Sequence, residues 1–261
     1  VIGGNPPVWG LQLVLLAAAV IFTGRAAAIS RIPVFEGRQN ESAGFFSGLN
    51  TVVGNKPMAG FSLYFFLLNL TAFGTVPLMM LYLKNGLNAP DNVIVLISAC
   101  SLSGMLFGYL CIGRLLKRIG MKHTFLLLHF IFFAVNGGLF LIGGRSMATY
   151  LLIAFFLLVY SFAAAASSIV ASAEMMKLAS PGNKIMAMAF NGAFFYGGSG
   201  LSRFLTSLLL GSGMFAAEWQ LGTTTVCRYR TFLLLYCAAI LLAAPFLLLV
   251  PAVNSGKSNK P

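Results

Sequence analysis

The sequence predicts an all-α fold: a polytopic membrane helix bundle of about seven transmembrane helices. Hydrophobic residues make up 59 % of the chain, charged residues only 8 %, and the mean hydropathy is +0.90, whereas soluble domains are about 45–50 % apolar. The net charge of +12 would suggest nucleic acid in a soluble protein. Here the basic residues lie between apolar segments, which is typical of membrane loops and excludes both a soluble domain and a nucleic-acid partner.

Seven apolar segments follow one another along the chain, separated by polar residues and by Pro, Gly and Asn. All but the first reach the length of about 20 residues that crosses about 30 Å of hydrocarbon as a helix. We expect residues 1–58 to hold one helix and a cytoplasmic linker, and 59–261 to form a six-helix domain. The segments are 8–24, 59–83, 92–113, 124–143, 148–171, 185–212 and 231–250.

Loop charge predicts the orientation. Twelve of the 17 basic residues lie in the linker, in the third-to-fourth and fifth-to-sixth connections and at the C-terminus. The other side has four, Lys84, Arg145, Arg228 and Arg230, and Arg203 lies inside the sixth segment. Because basic loops stay inside, we expect a multi-pass protein of a plasma membrane, in particular the bacterial inner membrane, with a cytoplasmic C-terminus.

The connection after the third segment reads GRLLKRIGMK, from Gly113 and Arg114 through Lys117, Arg118 and Gly120 to Lys122. It resembles the loop signature of the major facilitator superfamily, G-x-L-x-D-R-x-G-R-K. Lys117 replaces the Asp of the stronger, first-half copy, and Met121 replaces an Arg. Glycines permit a tight connection there, and basic side chains suit the headgroups. The alternative is that any short cytoplasmic loop is basic.

The resemblance implies helix six, the central linker and helices seven to twelve of a twelve-helix transporter. The chain begins with Val, and we expect it to be a piece whose N-terminal six-helix half is its partner. The resemblance further implies secondary active transport of a small solute by alternating access, as symport or antiport coupled to protons or sodium. The second and fifth segments would line the cavity, the third and sixth would pack laterally, and the others would be peripheral.

Arg203 is the sharpest candidate for substrate binding, because charges at membrane depth are costly and often functional. Helical spacing puts it on one face with Gly192, Tyr196, Ser199 and Ser207. We expect an anionic group of the substrate to bind the guanidinium. The alternative is that Arg203 reaches the headgroups or pairs with the other half.

Polar residues of the expected cavity helices supply further candidates. Asn69 shares a face of the second segment with Phe73, and Tyr160 lies in the fifth segment on one face with Glu174. Asn69 and Tyr160 are predicted to contact substrate, although an Asn in a membrane helix equally hydrogen-bonds a neighbouring helix. Glu174 either carries a coupling proton or clamps Arg118 across the loop. For Glu174, a purely structural ion pair is the stronger interpretation. For His129, the stronger interpretation is a packing role.

No catalytic constellation is visible, so we expect a protein that is not an enzyme and needs no cofactor or metal. The five acids form no carboxylate pair, and neither H-E-x-x-H nor CxxC occurs. Two rival functions remain at this stage. One is a seven-helix receptor, although the last segment lacks the lysine that a retinal protein needs; the other is a non-transporting membrane sensor or scaffold. Gly104 and Gly108 predict a close helix contact in any of these.

Overall fold

A computed structural model describes residues 8–31, 45–180, 183–222 and 224–249. This part of the chain is all-α apart from one small hairpin, and it falls into two compact units, one within 1–42 that contains α1 and one within 43–261. The elements are α1 (Val8–Ser30), α2 (Phe45–Gly54), α3 (Lys56–Ala72), α4 (Thr75–Leu81), α5 (Asp91–Leu141), α6 (Met147–Leu178), α7 (Lys184–Gly211), β1 (Glu218–Leu221), β2 (Thr224–Cys227) and α8 (Arg228–Leu249).

Four stretches of helix among the described residues are long and apolar enough to cross a membrane. They are Lys56–Gly86, Asp91–Leu141, Met147–Leu178 and Arg228–Leu247. The first joins α3, α4 and a final π-helical turn at Tyr82–Gly86, and it covers the second predicted segment. The prediction of a helical membrane protein is thereby confirmed, and α1 and α7 cover the first and sixth predicted segments as helices.

The connection predicted between the third and fourth segments is almost entirely helical. Helix α5 runs for 51 residues, and only Gly120, with φ 74° and ψ 171°, leaves the helical conformation. That backbone region is essentially restricted to glycine. The connection expected from Gly113 to Lys122 is therefore shorter than predicted and reduces to a tight turn at Gly120, because Leu, Lys and Arg are good helix formers and continue both helices to the glycine. We call 91–119 the first limb and 121–141 the second limb.

The two limbs run in opposite directions. In the first limb Cys100 lies against Ala154, and Gly104 against Leu158 of α6, so this limb is parallel to α6. In the second limb Phe132 packs on Tyr160 and Gly138 packs on Phe156. Residue numbers rise along this limb as they fall along α6, so the second limb is antiparallel to α6. Gly120 therefore reverses the chain.

The remaining helices continue this alternation. Gly198 of α7 lies against Phe66 and Thr206 against Gly74, so α7 is parallel to α3–α4. Helix α8 is antiparallel to the second limb, because Cys237 bonds the Phe133 carbonyl and Arg230 that of Phe140. One end of this unit therefore holds Gly120, and the other holds the β1–β2 hairpin. We call them the Gly120 end and the hairpin end.

The predicted linker contains an additional helix, α2, which the sequence analysis missed because it is short. At the Gly120 end Asn183 donates to the Gly48 carbonyl at 3.0 Å, and Asn55 donates to the Leu178 carbonyl at 2.9 Å. These bonds fasten α2 and the start of α3 to the connection between α6 and α7. Arg38, Lys257, Lys260 and the predicted cytoplasmic C-terminus lie outside the described residues.

The hairpin end carries a two-stranded antiparallel hairpin that the sequence analysis treated as a plain connection. Trp219 pairs with Val226, and Gly222 takes a positive φ of 60° in the turn. Arg230 at the start of α8 is buried and donates to the Phe140 carbonyl at 2.6 Å and the Thr225 carbonyl at 3.3 Å. The arginine thus joins the hairpin to the end of the second limb.

Candidate functional site

A break in the helix that was predicted to be continuous over 59–83 is the centre of the candidate site. Helix α3 ends at Ala72 and α4 begins at Thr75. Pro77 has no N–H, so the Phe73 carbonyl loses the bond that a continuous helix would give it. A Cβ at Gly74 would lie 1.9 Å from the Tyr236 hydroxyl. Proline thus frees a carbonyl, and glycine lets a tyrosine of α8 approach the break.

Side chains from two other helices close around this break. The Tyr160 hydroxyl donates to the Ala72 carbonyl. The Thr75 hydroxyl lies 3.0 Å from that same carbonyl and 2.9 Å from Oδ1 of Asn136, and its single proton serves one of them at a time. Asn136 in turn donates to the Phe132 carbonyl at 2.8 Å. Ala72, Thr75, Asn136 and Tyr160 are all buried, so the break is a polar centre enclosed by α6 and the second limb.

Four buried polar atoms have no hydrogen-bond partner among the described residues. Oδ1 of Asn69 and the hydroxyl of Ser202 lie near the break, whereas Oδ1 of Asn191 and Nε2 of His129 lie farther away, toward the Gly120 end. Asn69 donates its amide N–H to the Phe65 carbonyl of its own helix, which leaves its oxygen as an acceptor. Because an unpaired buried polar group is costly, these atoms are positions where water or a polar solute would be stabilised.

Arg203 lies at the depth of the break. Gly198 of α7 faces Phe66 of α3, and Thr206 faces Gly74, so the two helices keep the same register. Arg203 is five residues after Gly198 and is therefore level with Thr71, which is five residues after Phe66. Thr71 is the middle residue of the span Lys56–Gly86. In a centred hydrocarbon core of about 30 Å, the residue would be about 15 Å from either edge.

The charge of Arg203 has no counterpart among the described residues. Asp91 pairs with Lys84 at 3.3 Å, Glu174 pairs with Lys177 at 3.1 Å, and Glu218 lies in β1. Arg203 itself is exposed on α7. A guanidinium at this depth requires an anion or polar groups from outside the described part of the chain.

The other substrate-binding candidates are placed in two groups. Asn69 and Tyr160 are fully buried at the break, and Phe73 forms part of the break itself, half-buried against Phe195. Tyr196 is 73 % exposed on the same face of α7 as Arg203. Ser199, between them, is buried and donates to the Tyr196 carbonyl at 3.3 Å. Tyr160 contacts backbone of a neighbouring helix, and Asn69 bonds its own helix.

The coupling candidates lie apart from this centre, toward the Gly120 end. Glu174 is buried and forms its ion pair with Lys177 in its own helix, and no ion pair to Arg118 occurs among the described residues. Arg118 is exposed beside Gly120, as are Gly113, Arg114 and Lys117, whereas Lys122 is half-buried. His129 is buried, stacks on Tyr64 and bonds the Phe125 carbonyl at 2.9 Å, which is a packing arrangement.

Sequence reasoning missed Thr75, Asn136, Ser202, Thr206 and Tyr236. Their signal was weak, because single Ser, Thr, Asn and Tyr residues are common in membrane helices and only their convergence from several helices distinguishes them. The Gly74–x–x–Pro77 spacing was a signal of the break that could have been used. Neither a protein-family model nor a curated protein matches this chain.

Proposed function

We propose that this chain is the C-terminal half of a secondary active transporter of the major-facilitator type, which moves a small solute by alternating access. Its partner would be an N-terminal six-helix half, and the solute would bind between the two halves. In this proposal α1 and the six helices from α3–α4 to α8 are the seven membrane spans. The Gly120 end would face the cytoplasm, and protons or sodium would drive the cycle.

The observation that carries the proposal is the polar break between α3 and α4 at mid-depth. Helix breaks at this depth are tolerated where neighbouring side chains satisfy the released backbone groups, and they commonly form transporter binding sites. Tyr160 and Thr75 satisfy the Ala72 carbonyl in this way. The side-chain oxygen of Asn69, at the same depth, has no hydrogen-bond partner within the described ranges.

A sensor or scaffold would not need a polar centre at the break between α3 and α4. Packing alone is served by apolar contacts and small residues, as between the first limb and α6. An Asn oxygen and a guanidinium that have no partner among the described residues reduce stability at mid-depth, and both become favourable once a polar solute binds. The basic residues at the Gly120 end support the cytoplasmic orientation through the positive-inside rule.

Uptake into proteoliposomes tests the proposal. The chain is expressed together with the N-terminal part that the proposal requires, and a library of radiolabelled anionic, cationic and neutral solutes is offered under proton and sodium gradients. We expect uptake of at least one anionic solute above empty liposomes, and loss of uptake in Pro77→Ala, which gives the Phe73 carbonyl back its helical donor. Leu208→Ala, exposed on α7, serves as the control. A correctly folded complex that moves no solute under any gradient would support the scaffold alternative.

A further inference from the structure

The exposed face of α7 at mid-depth has a trough between two large side chains. Tyr196 and Arg203 are two helical turns apart on one face, which corresponds to about 10 Å along the axis. Only small residues lie between them on that face. Ser199 is buried and its hydroxyl donates to its own helix backbone, whereas no described heavy atom lies within 4 Å of a Cβ built on the exposed Gly200. Among the described residues, the space above Gly200 is therefore open.

One wall of this trough is aromatic. Tyr196 meets Phe195 edge to face with ring centroids 5.1 Å apart, and Phe195 meets Phe73 edge to face at 5.3 Å. Phe195 and Phe73 are both half-buried, so each keeps part of its ring accessible. This geometry continues the aromatic surface from α7 to the break in α3–α4, where a further ring could stack at an ordinary distance of about 4.5–7 Å.

The other end of the trough carries the only charge at this depth among the described residues. Arginine binds carboxylates through two parallel hydrogen bonds, a geometry that lysine lacks. The backbone positions of Tyr196 and Arg203 are about 10 Å apart along the helix axis. An aromatic ring joined to a carboxylate by a short aliphatic chain fits within that length.

We infer that this trough binds an aromatic carboxylate, with the carboxylate on Arg203 and the ring on Tyr196, Phe195 and Phe73. The inference rests on the proposed function, because it assigns a solute class to the same site. Arg203 supplies the preference for an anion, and the aromatic wall supplies the preference for a flat ring over an aliphatic chain of the same charge.

Calorimetric binding to the intact protein in lipid nanodiscs tests this inference without requiring transport. The probes are 3-phenylpropionate, its neutral analogue 3-phenylpropanamide, and butyrate. We expect 3-phenylpropionate to bind at least about tenfold more tightly than either, because each analogue lacks one of the two contacts. Equal affinity for the acid and the amide, equal affinity for the acid and butyrate, or no binding of the acid would overturn the inference.

Matched variants assign each contact. Arg203→Gln is expected to lower the affinity for the acid to that for the amide, and Tyr196→Leu to lower it to that for butyrate. Leu208→Ala, on another side of the same helix, should bind as the wild type does. Should Arg203→Gln fail to fold, Arg203→Lys provides the same comparison and is expected to lose most of the acid's advantage. An unchanged acid preference in a folded Arg203 variant contradicts the assignment.

The outcome separates this inference from the proposed function. Binding of the acid without any flux across liposomes would support the site and contradict transport. Flux of other solutes without binding of the acid would support transport and overturn the aromatic carboxylate.

Discussion

At the level of single residues, the candidate site depends on a charge on α7, Arg203, and on the Tyr160 hydroxyl, which donates to the Ala72 carbonyl at the break. Arg203 is visible as a candidate because one basic residue interrupts an apolar segment. The bond from Tyr160 to the Ala72 carbonyl is invisible in the sequence, because it depends on which helix packs beside which and on a backbone group freed by a break. The structure shows this backbone contact of Tyr160, and its contact with substrate stays a prediction.

The close contact between the first limb and α6 depends on glycine. A Cβ at Gly104 would lie 2.1 Å from the Leu158 carbonyl oxygen, so we expect Gly104→Ala to force the helices apart and to lower the free energy of unfolding by about 1–3 kcal/mol. The measurement is the thermal or SDS unfolding midpoint in detergent. Gly113→Ala in the same limb, where no heavy atom lies within 4 Å of the added carbon, should unfold like the wild type, and equal midpoints for both variants would contradict the contact.

The buried hydroxyl at the break is the second residue-scale test. Thr75→Val keeps the shape of the side chain but leaves Oδ1 of Asn136 without its donor, and we expect a loss of about 0.6–1.7 kcal/mol. Thr71→Val is the matched control, because Thr71 is half-buried and bonds only the Leu68 carbonyl of its own helix. Unfolding curves that rank the two variants in the reverse order would argue against a polar centre at the break.

At the level of elements, hydrophobic segments predicted the helices but not their ends or interruptions. Each of the six apolar segments predicted in the larger unit is helical, and four helical stretches among the described residues are long and apolar enough to cross a membrane. Breaks arise from single residues instead: Gly120 reverses α5, and Gly74 with Pro77 divides α3 from α4. The hairpin of β1 and β2 was missed because its strands have four residues each, too few for a periodic pattern.

The reversal at Gly120 gives an element-scale prediction. An alanine there would have to adopt φ 74° and ψ 171°, at a cost of about 1–3 kcal/mol. We expect Gly120→Ala to lower the unfolding midpoint, with Gly113→Ala again as the helical control. If Gly120→Ala were as stable as the control, the two limbs could not be joined by this conformation.

The hairpin end supplies a second element-scale prediction. Arg230→Ala removes two hydrogen bonds to carbonyls and the contact of the guanidinium with the Phe140 ring, whose centroid is 5.4 Å away. We expect limited proteolysis to cut within 213–227 faster, and stability to fall by about 1.5–3 kcal/mol. The protease should cut Arg228→Ala at the wild-type rate, because the side chain of Arg228 makes no such bond among the described residues. Equal rates for both variants would refute the fastening role of Arg230.

At the level of the whole molecule, the six helices from α3–α4 to α8 alternate in direction. The sequence predicted that order from the spacing of apolar segments, and the charge asymmetry between the two ends follows from it. The depth of Arg203 could not be predicted, because it depends on the register between α7 and α3. That register follows from packing at Gly198 and Gly74, where side chains of other helices meet glycine.

Alternating access to the trough is the central claim, and it can be tested without knowing the solute. The protein is prepared without Cys100, Cys111, Cys227 and Cys237, the four cysteines of the chain, and Gly200→Cys is introduced, where the added side chain meets open space. It is assembled with its N-terminal half and treated with a membrane-impermeant thiol reagent from one side and, separately, from the other. We predict labelling from both sides, with solute or a driving gradient increasing one rate and decreasing the other. Labelling from one side only, at a rate that neither solute nor gradient changes, would contradict alternating access and leave a static membrane protein.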